Sequence, residues 1–207
     1  IIMRKFISMD FNQTENQVLI TQTIRDFAEK NIKPYVLEWD ETQHFPVETL
    51  RKLGELGLMG IVIPEQYGGS GFGYFEYITA LTELGKVDGS LTLSVAAHNS
   101  LCTNHIYKFG NEEQKNKYLP GLASQGVIGC FCLSEPNAGS DPGTLTTFAE
   151  DKGDYYEISG TKNFITNGKD AGVAIVLAKT AKTNDHKGIT AFIVEAKSEG
   201  FKVQKLE

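Results

Sequence analysis

The stretch "CLSEPNAGSDPGT", Cys132 to Thr144, sets two serines, two carboxylates, two glycines and two prolines directly behind the strand-like "VIGCF" of residues 127–131. Such a density of turn formers marks a loop. Three chemistries could use it: a nucleophile, a metal site, or a cradle for phosphate. Ser134 with Glu135 or Asp141 could begin a nucleophile set, but a base, usually His, is also required. His44, His98, His105 and His186 all lie before residue 130 or after 180, and no G-x-S-x-G elbow occurs. For phosphate, Gly139 and Ser140 in a tight turn would offer successive backbone N–H groups as an anion nest. Gly139 also lacks the Cβ that would hold a ligand away. Glu135 and Asp141 would repel phosphate if they faced it, so they are expected to accept backbone N–H bonds and hold the loop. An ordinary tight turn between strands stays open beside the cradle.

Downstream of this loop the hydrophobic period is two. "TTFAEDKGDYYEISG", "TKNFITNG", "VAIVLAKT" and "GITAFIVEA" read as strands, with "DKGD" and "NDHKG" as turns. Upstream the period is that of a helix. Thr14 and Gln17 form a capping box ahead of Val18, Ile20, Ile24, Phe27, Ala28 and Ile32. Pro46 opens a helix carrying Leu50, Leu53 and Leu56, closed by Gly57. Tyr74, Ile78, Leu81 and Leu84 make a third stripe, and Ser90–Phe109 is apolar nearly all round, as a buried helix is. Asn111 and Gln114 repeat the capping pattern. Helices first and strands second predict a segregated α+β chain, with a helical domain over 1–125 and a β-barrel-like domain over 126–207.

Other candidate chemistry is weaker. "GGSGFGY" fails as a dinucleotide fingerprint, because Tyr74 stands where the last glycine belongs and no βαβ unit surrounds it. A flexible connection between helices is the better reading. His98, Cys102 and His105 would share a helix face, yet a fourth metal ligand is lacking. Cys130 and Cys132 share a strand face without a second pair and read as core or pocket wall. In a strand Phe164 and Thr166 would also share a face, as would Phe131 and Leu133. That gives a flat apolar wall with a hydroxyl, suited to a planar ring followed by a pyrophosphate, as in a flavin dinucleotide.

The net charge of −6 without a basic stripe argues against nucleic acid. No apolar run nears the ~20 residues of a membrane span. Three cysteines suit a reducing compartment. The chain opens on Ile1 without a targeting segment, and a start at Met9 or a segment of a longer protein would each fit.

"CLSEPNAGSD" followed by "KNFITNG" resembles the signature region of the acyl-CoA dehydrogenases, and "MDFNQTENQ", "IPEQYGGSGFGY", "KVDGS", "NEEQKNKYLPGLASQG" and "GITAFIVE" extend the resemblance along nearly the whole chain. The resemblance implies a helical N-terminal domain, a β-barrel-like middle domain and a C-terminal helical bundle, with FAD between the last two. It implies that Phe131, Leu133 and Ser134 contact the flavin ring, and that Gly139 and Ser140 approach the phosphates and the acyl-CoA. Phe164, Ile165 and Thr166 would close the other side, Thr166 donating toward the flavin N5. Thr180 would touch the CoA moiety, and the run from Ser90 would line the acyl pocket. Phe164 stands where the family most often has Trp, and Thr144 where it usually has a small residue.

The implied activity is α,β-dehydrogenation of fatty or branched-chain acyl-CoA thioesters, with electrons passed to an electron-transfer flavoprotein. A homotetramer is implied for the full-length protein, in the bacterial cytoplasm or the mitochondrial matrix. The family's catalytic glutamate is expected beyond Glu207, so no catalytic residue is assigned in this segment, which alone is expected to be inactive and to hold FAD weakly. A non-catalytic truncated relative acting as a binding module is the alternative, and an oxygen-reducing relative a third reading.

Overall fold

The computed structural model describes residues 12–181 and 186–204. The opening stretch through residue 11 and the first half of the "NDHKG" turn lie outside them. Thr14 caps α1 (Glu15–Asn31) with the expected reciprocal box, its hydroxyl accepting from Gln17 N–H and the Gln17 side chain accepting from Thr14 N–H. Ile20, Ile24, Ala28 and Ile32 are buried along one stripe, each isoleucine contributing roughly 1.5–3 kcal/mol by leaving water. Val18 stays exposed. The chain does not run straight to the next capping signal: α2 (Val36–Thr42) restarts just after Pro34 and half-buries Trp39 against the core. In α3 (Val47–Glu55) Leu50 and Leu53 are buried, while Leu56 lies past the helix end and is exposed.

The residues before α4 (Tyr74–Gly85) are not a flexible connection. Ser70 Oγ donates to Gly57 O at 2.8 Å, Gly71 N to Ile63 O at 2.9 Å and Phe72 N to Ile61 O at 2.9 Å, which ties the glycine-rich segment down. The buried stripe of α4 is Tyr77, Ala80 and Leu84, one step round from the one read in the sequence, and Tyr74 and Ile78 are exposed. Packing against α1 sets this rotation. Buried Glu83 accepts from Arg25 of α1 at 2.7 Å, which periodicity of apolar residues alone does not reveal.

The apolar run continues as α5 (Gly89–Ala96), a π-helical segment (Ala97–Thr103) and α6 (Asn104–Phe109). It is buried on most sides, but Leu93, Leu101 and Phe109 are exposed. The Asn111–Gln114 capping box opens α7 (Glu112–Ser124).

Five strands follow: β1 (Gly129–Cys132), β2 (Phe148–Asp151), β3 (Tyr156–Ser159), β4 (Val173–Lys179) and β5 (Ile189–Glu195). β4 is central. One edge pairs antiparallel with β5 along its length; the other pairs parallel with β1 over Val173–Val176 and touches β2 at Lys179, and β2 and β3 form an antiparallel hairpin. The sheet is open rather than barrel-like, since no pairing among the described residues joins its outer strands. One face of it packs directly on the helices. Val173 and Ile175 share a cluster with Ile63, Tyr67, Cys102, Ile106, Leu119 and Leu122. The approach is close: a Cβ on Gly129 would stand 2.5 Å from Cys102 Sγ, so only glycine lets β1 sit this near the π segment.

Candidate functional site

β1 and β4 run parallel, and the Cys132–Thr144 loop leaves β1 at its carboxyl end before returning as β2 beside Lys179. The tight turn of this loop lies one step earlier than expected. Glu135 N donates to Ala138 O at 2.9 Å and Ala138 N to Glu135 O at 3.1 Å, so the turn is Glu135–Ala138. Pro136 explains the placement, because its fixed φ suits the second turn position. Gly139 and Ser140 follow the turn and are exposed.

The two carboxylates hold the loop. Asp141 Oδ1 accepts from Gly143 N at 3.0 Å. Buried Glu135 accepts from Thr146 N at 2.6 Å, Thr147 N at 3.0 Å and Lys162 Nζ at 2.7 Å. Burial pushes the Glu135 carboxyl up, but the lysine and the threonine donors outweigh it and bring its pKa to about 2. Lys162 Nζ also donates to Leu133 O at 3.1 Å, and Asn163 N to Ser134 O at 2.8 Å. The two signature segments, distant in sequence, are thus stitched together at Leu133–Glu135.

Residues 160–172 are not a strand. The "KNFITN" segment passes along β1 from Ser134 down to Gly129, where Asn167 Nδ2 donates to Gly129 O at 3.2 Å and to Ser94 O at 3.0 Å. Phe164 and Asn167 both have left-handed backbone, with φ of 56° and 67°. For a residue as bulky as Phe this conformation is an outlier of the kind concentrated at functional sites. Strand alternation therefore does not apply, and Phe164 and Thr166 do not share a face in the manner expected. Asn163 Oδ1 accepts from Phe164 N at 3.1 Å, the Phe164 ring is 75% exposed, and Ile165 packs on Cys130 and Cys132.

Phe131 points to the opposite face of the sheet, against the helices, with its ring 5.7 Å from that of His105. Phe131 and Phe164 therefore do not form one continuous wall. Ser134 and Thr166 are half-buried and Ser140 is exposed, and none of these three hydroxyls has a hydrogen-bond partner among the described residues. A Cβ on Gly139 would meet nothing within 4 Å. Thr180 is exposed at the end of β4, its hydroxyl 3.3 Å from both Gly188 O and Thr190 Oγ1. The Pro142–Thr144 turn adjoins the His186–Gly188 turn, which brings Ser140 and Thr180 to the same end of the sheet.

The other candidates are structural. His98 is fully buried with both ring nitrogens occupied, Nδ1 accepting from Gly129 N at 2.9 Å and Nε2 lying 2.9 Å from Met59 O and 3.1 Å from Leu122 O. Burial lowers its pKa to about 4, so it is neutral. Burial pushes the Cys102 thiol up to about 12. Among the described residues no cluster of His, Cys, Asp and Glu is arranged to hold a metal. Cys130 and Cys132 sit 3.7 Å apart, both buried and free; the hydrogen bond between them, followed by burial, pushes Cys130 up. Sequence reading missed Lys162, Asn167 and His98 as builders of this site. The one available signal was Asn167, a residue type that tolerates left-handed backbone.

A helical layer under an open mixed sheet, with a turn-rich loop at the carboxyl ends of β1 and β4, defines the fold of the acyl-CoA dehydrogenases. Residues 14–126 match the description "Acyl-CoA dehydrogenase, N-terminal domain" and residues 130–207 "Acyl-CoA dehydrogenase, middle domain". The short-chain specific acyl-CoA dehydrogenase of Clostridium acetobutylicum is 47% identical over 199 residues, which cover 96% of this chain and 52% of that protein. Similar solved structures include a chain from the electron transferring flavoprotein of Acidaminococcus fermentans (TM-score 0.93, 45% identity, covering 96% of this chain and 52% of that chain). Another is a glutaryl-CoA dehydrogenase from Mycobacterium smegmatis in complex with FADH2 (TM-score 0.87, 36% identity, covering 94% and 49%). The chain belongs to the acyl-CoA dehydrogenase family. It spans about half the length of the curated relatives it matches. Among the described residues no helix is long and apolar enough to cross a membrane.

Proposed function

We propose that this chain supplies the helical and sheet parts of an FAD-dependent dehydrogenase that introduces an α,β double bond into short fatty or branched-chain acyl-CoA thioesters. Kinship with acyl-CoA dehydrogenases supports the class. One observation supports the placement: the hydroxyls of Ser134, Ser140 and Thr166 are uncommitted, the Phe164 ring is exposed and Gly139 is open, all on two segments that are stitched together at Leu133–Glu135 and run along β1. Those residues fit a flavin dinucleotide, which needs a flat apolar surface, edge donors and a close-approach glycine for its phosphates. When bound, FAD supplies the two-electron acceptor.

The residues of this chain then bind and orient. Ser134 and Thr166 donate to the polar edge of the ring, with Leu133 and Ile165 beside them and Phe164 covering a face. Gly139 and Ser140 receive phosphate, and Ser140 with Thr180 meets the CoA moiety; Phe131 acts from behind, setting β1 against the helices. Leu93 and Leu101, apolar yet exposed on a largely buried run, meet the acyl chain. The carboxylate that takes the α-proton is assigned to no residue of this chain. Electrons pass to an electron-transfer flavoprotein, the full-length assembly is a homotetramer, and the free cysteines suit the bacterial cytoplasm or the mitochondrial matrix.

Gly139→Val and Phe164→Ala test the reading by FAD titration of the full-length protein with fluorescence detection. Both side chains are external to the packing, so melts should stay within about 0.5 kcal/mol of wild type while FAD affinity falls about tenfold or more. Unchanged FAD affinity in both variants would overturn the site.

A further inference from the structure

The switch from α to π hydrogen bonding within 89–109 changes the partner spacing from i+4 to i+5, and carbonyls near the switch need other donors. Side chains supply them. Val95 O accepts from Asn99 Nδ2 at 3.1 Å, Ala96 O from Ser100 Oγ at 2.6 Å and Tyr77 Oη at 3.2 Å, and His98 O from Thr103 Oγ1 at 2.9 Å. These donors lie within the helical layer; Ser94 O, which the Ala97 N–H also reaches, accepts in addition from Asn167 Nδ2 of the 160–172 segment. The same Asn167 nitrogen donates to Gly129 O, and Gly129 N donates to His98 Nδ1. A closed circuit therefore runs from α5 through Asn167 to β1 and back through His98 to the π segment. Ser94, His98 and Asn167 are all more than nine-tenths buried.

We propose that Asn167 is a positioning residue, whose single amide fixes the Phe164–Thr166 loop against the helix that lines the acyl pocket, so that an acyl ligand on the helix alters the environment of the flavin. The inference rests on the placement of FAD and acyl chain given above. Its geometry has two parts. The left-handed backbone at Asn167 turns the loop back toward β4, and the amide sets how far the loop stands from α5. Two carbonyl acceptors need a side chain with at least two N–H donors in this place, which the Asn167 amide supplies.

Asn167→Gly and Asn167→Asp in the full-length holoprotein separate these parts. Glycine accepts the left-handed backbone but has no amide. Aspartate keeps the shape but sets a carboxylate against two carbonyls. Three readouts apply: amide hydrogen exchange across residues 163–168, FAD affinity, and the flavin absorbance shift produced by crotonyl-CoA, a short enoyl thioester. Loss of two buried hydrogen bonds predicts exchange of residues 163–168 faster by about tenfold and FAD affinity about tenfold weaker. The crotonyl-CoA shift should be lost, while affinity for crotonyl-CoA itself stays within about threefold, because the helix surface is intact.

Wild-type exchange and a wild-type spectral shift in either folded variant overturn the proposal. So does faster exchange throughout the protein in both variants, which would mark Asn167 as merely structural. If the wild-type protein takes up no FAD, the reading of the site fails; the exchange at 163–168 in the flavin-free protein still decides whether Asn167 positions the loop.

Discussion

His98 makes the fold sensitive to mild acid in a way that can be calculated. In the unfolded chain its imidazole titrates near pH 6.5; in the fold, burial lowers the pKa to about 4, and the ring must stay neutral to accept from Gly129 N. Between these values the unfolded state binds a proton that the native state refuses, so stability rises with pH across the window. It is fully present above about pH 6.5 and is lost as pH falls toward 4. The whole shift is worth about 3 kcal/mol, and about 2 kcal/mol of it disappears between about pH 7.5 and 5. Urea melts of the wild type and of His98→Gln across that range measure it. His105, lowered by partial burial, contributes with the same sign in both proteins and cancels in the comparison. The low carboxyl of Glu135 loses its contribution only below the ordinary carboxylate range, outside the window. His98→Gln should be less stable at neutral pH but flatter with pH, by about 2 kcal/mol over the range. Parallel losses in the two proteins would refute a neutral, buried His98.

Lys162→Met should leave the Glu135 carboxylate buried and unpaired, costing about 3–5 kcal/mol in urea melts, with much of that regained in the double variant with Glu135→Gln. Gly129→Ala should cost about 1–3 kcal/mol in the same assay, because its Cβ would press on Cys102 Sγ, and Cys102→Ala should relieve part of the cost. Thr166→Val removes a hydroxyl without a protein partner; the melt should be unchanged within about 0.5 kcal/mol while the flavin spectrum shifts.

Those costs follow from contacts of different legibility in the sequence. The capping boxes at Thr14 and Asn111 are local, three residues wide, and read out directly. So are Ile20, Ile24 and Ala28, whose stripe needs only the helical period. The rotation of α4 was not legible, because the packed face includes a buried Glu83 held by Arg25, a position that the period of apolar residues leaves out. The π segment was not legible either. Its side-chain hydrogen bonds include one at Ser94 O from Asn167, which is remote in sequence.

The candidate site divides in the same way. Glu135 and Asp141 as loop-holding acceptors follow from turn chemistry, and both accept as that chemistry requires. "NFIT" reads as a strand because Phe, Ile and Thr favour one. It does not become one because the neighbouring interactions override propensity. Lys162 and Asn163 pin the segment to Leu133–Glu135 at one end, Asn167 pins it to Gly129 and Ser94 at the other, and the backbone between must bend through a left-handed Phe164. The bend is why the Phe164 ring is exposed instead of lying in the pleat beside Thr166. A conformation unfavourable for Phe persists only where its surroundings over-determine it. Here the surroundings are an ion pair, a two-carbonyl amide and a buried histidine, so the part of the site that sequence patterning describes least is the part the fold restrains most.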